Sequence, residues 1–157
     1  MKYCPLCAIK LSSTQKKGKV YLACPDDKCG FIHWNNPVPV VAAIIELNNE
    51  VLLVHNTSWP EKMWGLVSGF LDEKEAPDQA VQREIKEELN LETLEVKLVG
   101  VYPFEQMNQV IIAYYAKCKG EITLNEELDG YKLLAKSKLK PWNFGTGFAV
   151  RDWLKAS

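Results

Sequence analysis

The sequence predicts an α+β fold or a layered α/β/α domain that follows a small cysteine-rich ribbon. Strand-length apolar runs and two helical patterns follow one another without regular alternation, which is typical of mixed architectures. Four of the five cysteines lie within the first 29 residues. We therefore expect a boundary near Asn36, with a ribbon over 1–36 and a main domain over 37–157.

The near-neutral charge of the chain argues against a strongly electrostatic function. Its 157 residues carry 19 Lys and Arg against 20 Asp and Glu, a formal net charge of −1. This balance offers no broad attraction for nucleic acid or an anionic membrane, so we do not favour a nucleic-acid partner. No apolar run approaches the roughly 18 residues of a membrane-spanning helix, and the first residues lack a signal-peptide core. We expect a soluble, cytoplasmic protein without a membrane partner.

The N-terminal cysteines form two closely spaced pairs, Cys4 with Cys7 and Cys24 with Cys29. Two such pairs supply the four thiolates that Zn²⁺ prefers, whereas disulfides would need an oxidising compartment for which no export signal is seen. Because four cysteines leave no open coordination position, we expect a structural zinc that staples a segment too short to bury a core. Cys118 lies alone in an apolar run, and we interpret it as a buried small hydrophobic residue.

The elements of the main domain follow from apolar periodicity and turn residues. Asn48 and Asn49 form the turn of a first hairpin. A helix begins at Pro77, which suits the first helical position, and ends at Leu89, where Asn90 provides a left-handed cap. Thr146 caps a final amphipathic helix that runs to Lys155. The predicted strands are 40–45, 51–54, 64–67, 94–101 and 110–118, with 120–124 as a short edge strand.

The helix from Pro77 to Leu89 brings three carboxylates to one face. Glu87 and Glu88 lie within roughly 60° of Glu84 on a helical wheel, beside the apolar stripe. The ordinary interpretation of such a run of charges is a solvated helix face. We find no Lys or Arg in the sector of the three glutamates, however, so a cation is needed to neutralise their mutual repulsion. Carboxylate oxygens select hard cations, so we expect magnesium or manganese completed by substrate phosphates. Gly69 would let the backbone approach this metal closely.

Arg83 lies about 100° from the carboxylate face, one residue before Glu84. This position suits an ion pair with Glu75 that holds the preceding loop onto the helix. An ordinary surface salt bridge, which would contribute little, is the alternative.

The segment Gly69–Leu91 resembles the Nudix box, G-x5-E-x7-R-E-U-x-E-E-x-G-U, where U is aliphatic. Asn90 replaces the glycine near its end, and asparagine tolerates the same positive φ. The four-cysteine ribbon and the Asn-Pro entry into the first strand are similar to the NADH pyrophosphatase branch of that family. Tyr102–Gln106 partly resembles its Pro-Trp-Pro-Phe-Pro-x-Ser segment. The positions that match the box are Gly69, Glu75, Arg83, Glu84, Ile85, Glu87, Glu88 and Leu91.

This resemblance implies a Nudix-type α/β/α sandwich with a mixed sheet, and hydrolysis of a nucleoside diphosphate linked to another moiety, such as NADH or ADP-ribose. It implies that magnesium is bound by Glu84, Glu87, Glu88 and the carbonyl of Gly69, with Glu75 and Arg83 completing the catalytic set. Relatives also imply a homodimer. As general base we select Glu127, with Glu126 nearby, although a polar loop explains both equally well.

Tyr102 and Phe104 are our candidates for stacking on a base or nicotinamide ring, and core packing is equally open for them. Core packing is the preferred interpretation for Trp64. His55 is interpreted as a surface histidine without a role.

Two other classes of function remain open. One is a nucleotide sensor of the same fold without catalysis, although no ligand position is lost. The other is an RNA-binding or RNA-end-processing protein that uses the ribbon, with a dinucleotide cap as substrate. The ribbon is mildly basic, but it also holds Asp26 and Asp27 and shows no clear interleaving of aromatic and basic residues in the sequence.

Overall fold

A computed structural model describes residues 1–156, which form two compact units, Met1–Pro37 and the chain from Val38 onward. The first unit is a three-stranded antiparallel sheet of order β1-β2-β3. Its β1 and β2 are joined by Lys17 and Gly18, whose φ angles of 48° and 77° are those of a type I′ hairpin turn. The strands are β1 Ser12–Lys16, β2 Lys19–Ala23 and β3 Ile32–His33.

The second unit contains a six-stranded mixed sheet of order β7-β8-β4-β5-β9, with β6 paired to β4. The pairing of β4 with β8 is parallel, and the other pairings are antiparallel. The predicted mixed sheet is therefore confirmed. The strands are β4 Val38–Leu47, β5 Glu50–Asn56, β6 Val67–Phe70, β7 Glu92–Phe104, β8 Gln109–Lys119 and β9 Leu128–Ala135.

Helices cover both faces of this sheet, which explains the uninterrupted apolar run in β4. Alternate residues of β4 join two separate cores, so that Val41 and Ile45 belong to one and Ala42 and Ile44 to the other. Helix α1, Pro77–Leu89, packs on the first core, and helix α2, Gly147–Ala156, packs on the second. The predicted α/β/α layering is confirmed. Neither helix has the length and apolar character that crossing a membrane requires, among residues 1–156.

Two strand predictions were wrong. The strand expected at 64–67 is β6, Val67–Phe70, and residues 120–124 form no strand. The edge strand beside β5 is instead β9. Its alternation of apolar and polar residues is interrupted by Asp129 and Gly130, which are residues usual in turns.

Helix α1 has the predicted bounds, and Asn90 caps it in the left-handed conformation with φ 57°. The N–H groups of Ala149 and Val150 donate to the Thr146 carbonyl at the start of α2. Cys118 is buried in the first core.

Candidate functional site

The three carboxylates of α1 differ in their exposure. Ala80, Val81 and Ile85 are fully buried and fix the rotation of the helix against the sheet. This rotation leaves Glu88 only 5% exposed and the Glu84 side chain 13% exposed, whereas the Glu87 side chain is 56% exposed. The helix thus presents two carboxylates that are largely withdrawn from water and one at the rim.

Gly69 on β6 lies directly against the carboxylate of Glu84. A Cβ atom built at residue 69 would be 2.0 Å from Glu84 Oε1 and 2.1 Å from its carboxyl carbon. Pairing of β6 with the central strand β4 sets this approach, since Gly69 is the register partner of Val41. Only glycine fits here without displacing the carboxylate.

Arg83 connects the helix to the loop before it. Its Nε donates to Glu75 Oε1 over 2.8 Å and its Nη2 to Glu75 Oε2 over 2.9 Å, so the expected pairing is confirmed. Its Nη1 also donates to Glu84 Oε1 at 2.8 Å and Glu87 Oε2 at 3.0 Å. No Lys or Arg lies in the helical sector of the three glutamates, but the long Arg83 side chain reaches two of them from outside it.

Burial and mutual repulsion alter the protonation of this cluster. Loss of water raises the pKa of Glu88 to about 8, and the charges of Glu84, Glu127 and Glu87 add to the effect. Burial also raises the pKa of Glu84, although Arg83 opposes this shift. Conversely, hydrogen bonds from Arg83 lower the pKa of Glu75 to about 2. A cation in the cluster would relieve the repulsion at Glu88, which the ion pairs of Arg83 do not reach.

Glu127 lies on an irregular loop that is tied to the end of α1. The N–H groups of Thr123 and Asn125 donate to the carbonyls of Leu89 and Glu88. The carbonyl of Glu127 itself accepts from the N–H of Thr57. This loop brings a fourth carboxylate close enough to influence the pKa values of Glu84 and Glu88.

The donor set of this cluster fits a hard divalent cation. All of its candidate ligands are oxygens, namely carboxylates and the backbone that Gly69 brings against Glu84. Among residues 1–156, however, only the four N-terminal cysteines form a set of at least three ligand atoms within 4.8 Å of one another. The carboxylates are thus near one another without forming such a set, and Arg83 Nη1 bridges Glu84 and Glu87.

Two neighbouring cavities share the lining residues Trp59, Leu66 and Ser68. The smaller, of about 180 Å³, is also lined by Glu88. The larger, of about 280 Å³, is mainly aromatic and apolar, and Phe104 lines it together with Met63, Trp64, Met107, Trp142 and Phe144. A planar apolar group in this cavity would therefore lie next to the cavity that Glu88 lines.

The structure separates the two residues predicted to stack on substrate. Phe104 lines the aromatic cavity, but Tyr102 does not, and its hydroxyl donates to Asp152 on α2 over 3.2 Å. Trp59, Trp142 and Phe144 were not predicted for this cavity, because Trp59 precedes the other two by more than 80 positions and no periodic pattern relates them. Trp64, assigned to the core, lines the cavity as well.

His55 on β5 is not the surface residue expected from the sequence, since it is 8% exposed. Its Nδ1 lies against Asp129 of β9, and its Nε2 is 3.1 Å from the carbonyl oxygen of Pro60. Both partners accept hydrogen bonds, so only the protonated ring donates to both. Asp129 accordingly raises the pKa of His55. The ring ties the sheet to the segment that carries Trp59 and Trp64.

The four N-terminal cysteines converge at one point. Cys4 Sγ is 3.5 Å from Cys29 Sγ, Cys7 Sγ is 3.5 Å from Cys24 Sγ, and all four thiols are free. Tetrahedral zinc with bonds of about 2.3 Å requires sulfur separations of about 3.8 Å, close to these distances. The thiol cluster predicted from the spacing is therefore confirmed, and its geometry fits a closed zinc site.

Comparisons with known proteins agree with this geometry. The family model for the NUDIX domain matches residues 36–150. A curated NAD-capped RNA hydrolase NudC of Vibrio atlanticus is 25% identical over 120 residues, 76% of this chain and 43% of that protein. One from Haemophilus influenzae (strain PittGG) is 28% identical over 129 residues, 80% of this chain and 47% of that protein. The chain thus spans a little under half the length of these curated relatives.

Solved structures show the same fold. A NUDIX hydrolase from Nitrosomonas europaea is 29% identical, with a TM-score of 0.76 over 88% of this chain and 80% of that one. An ADP-ribose pyrophosphatase from Streptococcus suis is 21% identical, with a TM-score of 0.59 over 77% of this chain and 92% of that one. At that identity the second likeness concerns the fold alone.

Proposed function

Because the chain belongs to the Nudix family, we propose that it is a magnesium-dependent hydrolase that cleaves the pyrophosphate bond of a nucleoside diphosphate linked to another moiety. The observation that carries the proposal is the placement of two largely buried carboxylates, with Glu84 against Gly69 and Glu88 lining a cavity that shares three residues with an aromatic pocket. A phosphoanhydride at the carboxylates would place an attached planar base beside Phe104 and Trp59.

In this proposal magnesium, or manganese, would be held by Glu84, Glu87, Glu88 and the Gly69 carbonyl. When bound, such a cation neutralises phosphate charge and makes a water molecule more acidic. Glu127 would accept the proton from the water whose oxygen attacks phosphorus. The bond from that phosphorus to the bridging oxygen breaks, and the departing phosphate takes the electron pair. Arg83 and Glu75 would hold the loop and helix that align these groups.

The substrate class rests on the shape of the cavity and on relatives. An aromatic pocket of about 280 Å³ suits one planar ring, which favours a dinucleotide such as NADH, or ADP-ribose, over inorganic pyrophosphate. Phe104 belongs to this proposal, whereas Tyr102 would act only by supporting α2 through Asp152. The curated relatives are named as NAD-capped RNA hydrolases, so a dinucleotide at an RNA end is a second candidate substrate.

We propose a structural role for zinc in the ribbon, and the homodimer implied by relatives stays a prediction. The first unit buries only Cys4 and Leu11 among its apolar side chains. So small a core supplies little stability without a metal staple. A closed four-thiolate site leaves no position at which zinc could act on a substrate.

A substrate panel tests the proposed activity. The full chain would be incubated with magnesium and NADH, NAD, ADP-ribose, FAD, diadenosine polyphosphates, nucleoside triphosphates or NAD-capped RNA, and products would be separated by chromatography. We expect one dinucleotide class to yield two monophosphates, and we expect Glu87→Gln to abolish this turnover. Glu73→Gln is the matched control, because Glu73 is exposed in the loop that precedes α1.

Turnover of the Glu87→Gln variant within a few-fold of the unaltered chain would refute the metal site. Absence of turnover with metal bound would favour the nucleotide sensor.

A further inference from the structure

One face of the small N-terminal sheet combines aromatic rings with lysines. In the antiparallel register Thr14 faces Tyr21, and Lys16 faces Lys19. Because side chains two positions apart share a face, Tyr21 and both lysines lie on the same side. Pairing of Leu22 with His33 brings Trp34 beside Tyr21, and their ring centroids are 5.1 Å apart. The sequence separates these residues by up to 18 positions, so no interleaving was visible there.

The rings of this face are available to a ligand. Trp34 is 50% exposed, and the Lys16 ammonium lies 5.9 Å from the centroid of its ring. A shallow cavity of about 230 Å³ is lined by Lys16, Lys17, Tyr21 and Trp34. An exposed indole beside an open cavity offers a flat surface on which another ring can stack.

The charges of this face are arranged unfavourably in the absence of a partner. Lys16 and Lys19 are directly opposed across the strands, and Lys17 lies in the turn between them. Like charges in directly opposed positions repel, and a polyanion would relieve that repulsion. The two acidic residues of the unit, Asp26 and Asp27, lie in another segment, between the second pair of cysteines.

The overall neutrality of the chain conceals a separation of charge. Residues 1–36 contain six lysines and two aspartates, a formal charge of +4, so the other residues together carry −5. The ribbon is thus a cationic module attached to an anionic domain. An aromatic platform bordered by lysines fits a strand with phosphates along its backbone and unpaired bases at its side.

We propose that the sheet face formed by Lys16, Lys17, Lys19, Tyr21 and Trp34 is a binding site for single-stranded RNA. A base stacks on Trp34, with Tyr21 supporting the indole edge. The lysines of the β1–β2 hairpin contact the phosphates on either side of that base. The site is independent of the proposed hydrolysis, because its recognition requires no pyrophosphate.

Binding of the full chain to a polyuridine RNA of roughly ten nucleotides, a length usual for one module, tests the proposal. The strand carries a 5′-hydroxyl, so it offers no pyrophosphate for hydrolysis. We expect Trp34→Ala to weaken binding roughly tenfold or more, because one base stack is lost. Trp34→Phe keeps an aromatic surface, and we expect it to bind within a few-fold of the unaltered chain. Unchanged zinc content would show that each variant retains a folded ribbon.

Salt dependence isolates the contribution of the lysines. Replacing both Lys16 and Lys19 with glutamine should lower the slope of log affinity against log salt concentration by about 1.4, because two phosphate contacts to a single strand contribute that much. Lys10→Gln with Lys28→Gln removes the same charge elsewhere in the ribbon and should leave the slope nearly unchanged.

Three outcomes would overturn the proposal. One is RNA binding by Trp34→Ala within twofold of the unaltered chain. The second is equal affinity for double-stranded RNA, which leaves no base free to stack. The third is binding to vesicles of phosphatidylserine that depends on Trp34 while RNA binding does not, which would identify a membrane surface as the partner.

Discussion

Arg83 and Glu75 form a bidentate ion pair, with Nε and Nη2 donating to separate carboxylate oxygens over 2.8 and 2.9 Å. The same guanidinium reaches Glu84 and Glu87 and donates to the Phe70 carbonyl, beside Gly69. One side chain therefore joins the loop, the helix and the strand that make up the proposed metal site. Glu75 contributes by holding Arg83 in position, and its Oε2 also accepts a hydrogen bond from the N–H of Asp72.

Replacing Glu75 with glutamine should lower activity roughly 10–100-fold, the usual range for groups that orient metal ligands. The neutral amide cannot match the two charge-assisted bonds to Arg83, which would then pair more closely with Glu84 and Glu87. Steady-state kinetics across magnesium concentrations measures this effect. A shift of the magnesium dependence to higher concentration is expected, and unaltered kinetics would contradict the positioning role.

Glu75 should also make stability depend on pH in the acid range. Its pKa falls from the usual 4.5 to about 2 in the folded chain because of Arg83. A carboxyl group whose pKa is lower in the folded than in the unfolded chain stabilises the fold at pH values above the unfolded pKa. This stability is lost as pH falls from about 4.5 to about 2. Urea unfolding at several pH values would show the loss, and Glu75→Gln should reduce this part of it. An identical pH dependence in both proteins would contradict the prediction.

Gly69→Ala should impair the site more than the fold. The added methyl would overlap the Glu84 carboxylate at 2.0 Å, so Glu84 must rotate away or β6 must shift. Crowding of this kind costs about 1–3 kcal/mol of stability, and displacement of a proposed ligand should reduce turnover by roughly 100-fold. Thermal unfolding and kinetics on the same preparation separate the two effects. Full activity would show that the close approach is not needed.

Removing zinc should unfold the ribbon before it affects the main domain. The first unit buries only Cys4 and Leu11, whereas the second contains two large cores. Chelation should therefore abolish the ordered signals of the ribbon in a two-dimensional NMR spectrum and leave those of α1 and the six-stranded sheet. Cys7→Ser should reproduce the effect, with Cys118→Ser as a thiol control distant from the cluster in the sequence. Retention of ribbon signals without metal would contradict this prediction.

His55 should affect substrate affinity more than turnover. Its protonated ring links Asp129 to the Pro60 carbonyl, next to Trp59 of the aromatic cavity. Asp129 raises its pKa, with the Pro60 carbonyl and Glu61 adding to the effect, and Lys132 lies over the adjacent Trp64 ring. Because the pKa of His55 is raised on folding, the protonated ring and both of its hydrogen bonds are fully present below the unfolded pKa of about 6.5. They are lost as pH rises through the higher pKa of the folded chain.

We therefore expect KM to rise in alkaline solution while kcat changes less. His55→Gln, which keeps one donor but no charge, should show the raised KM at every pH. A variant with the original pH profile of KM would exclude this role for His55.

Features with local causes could be predicted from the sequence. The bounds of α1 and its cap at Asn90 follow from local periodicity and cap residues, and Arg83 pairs with Glu75 only eight positions before it. The cysteine cluster was likewise predictable, because two short-spaced cysteine pairs are a usual pattern of a four-thiolate metal site.

Features that depend on strand pairing could not be predicted. Strand β9 carries Asp129 and Gly130, which suggest a turn, but pairing with β5 and the contact of Asp129 with His55 stabilise it as a strand. The aromatic cavity joins Trp59 to Phe104 and Trp142, and the ribbon face joins Lys16 to Trp34. These residues are distant in sequence, and only the packing of strands and loops in the folded chain brings them together. The sequence alone determined the chemistry of the carboxylates and thiols, because that chemistry belongs to residue types at short spacing. The tertiary structure decided which of these groups are buried and which surfaces adjoin them, because burial and contact depend on the packing of distant segments.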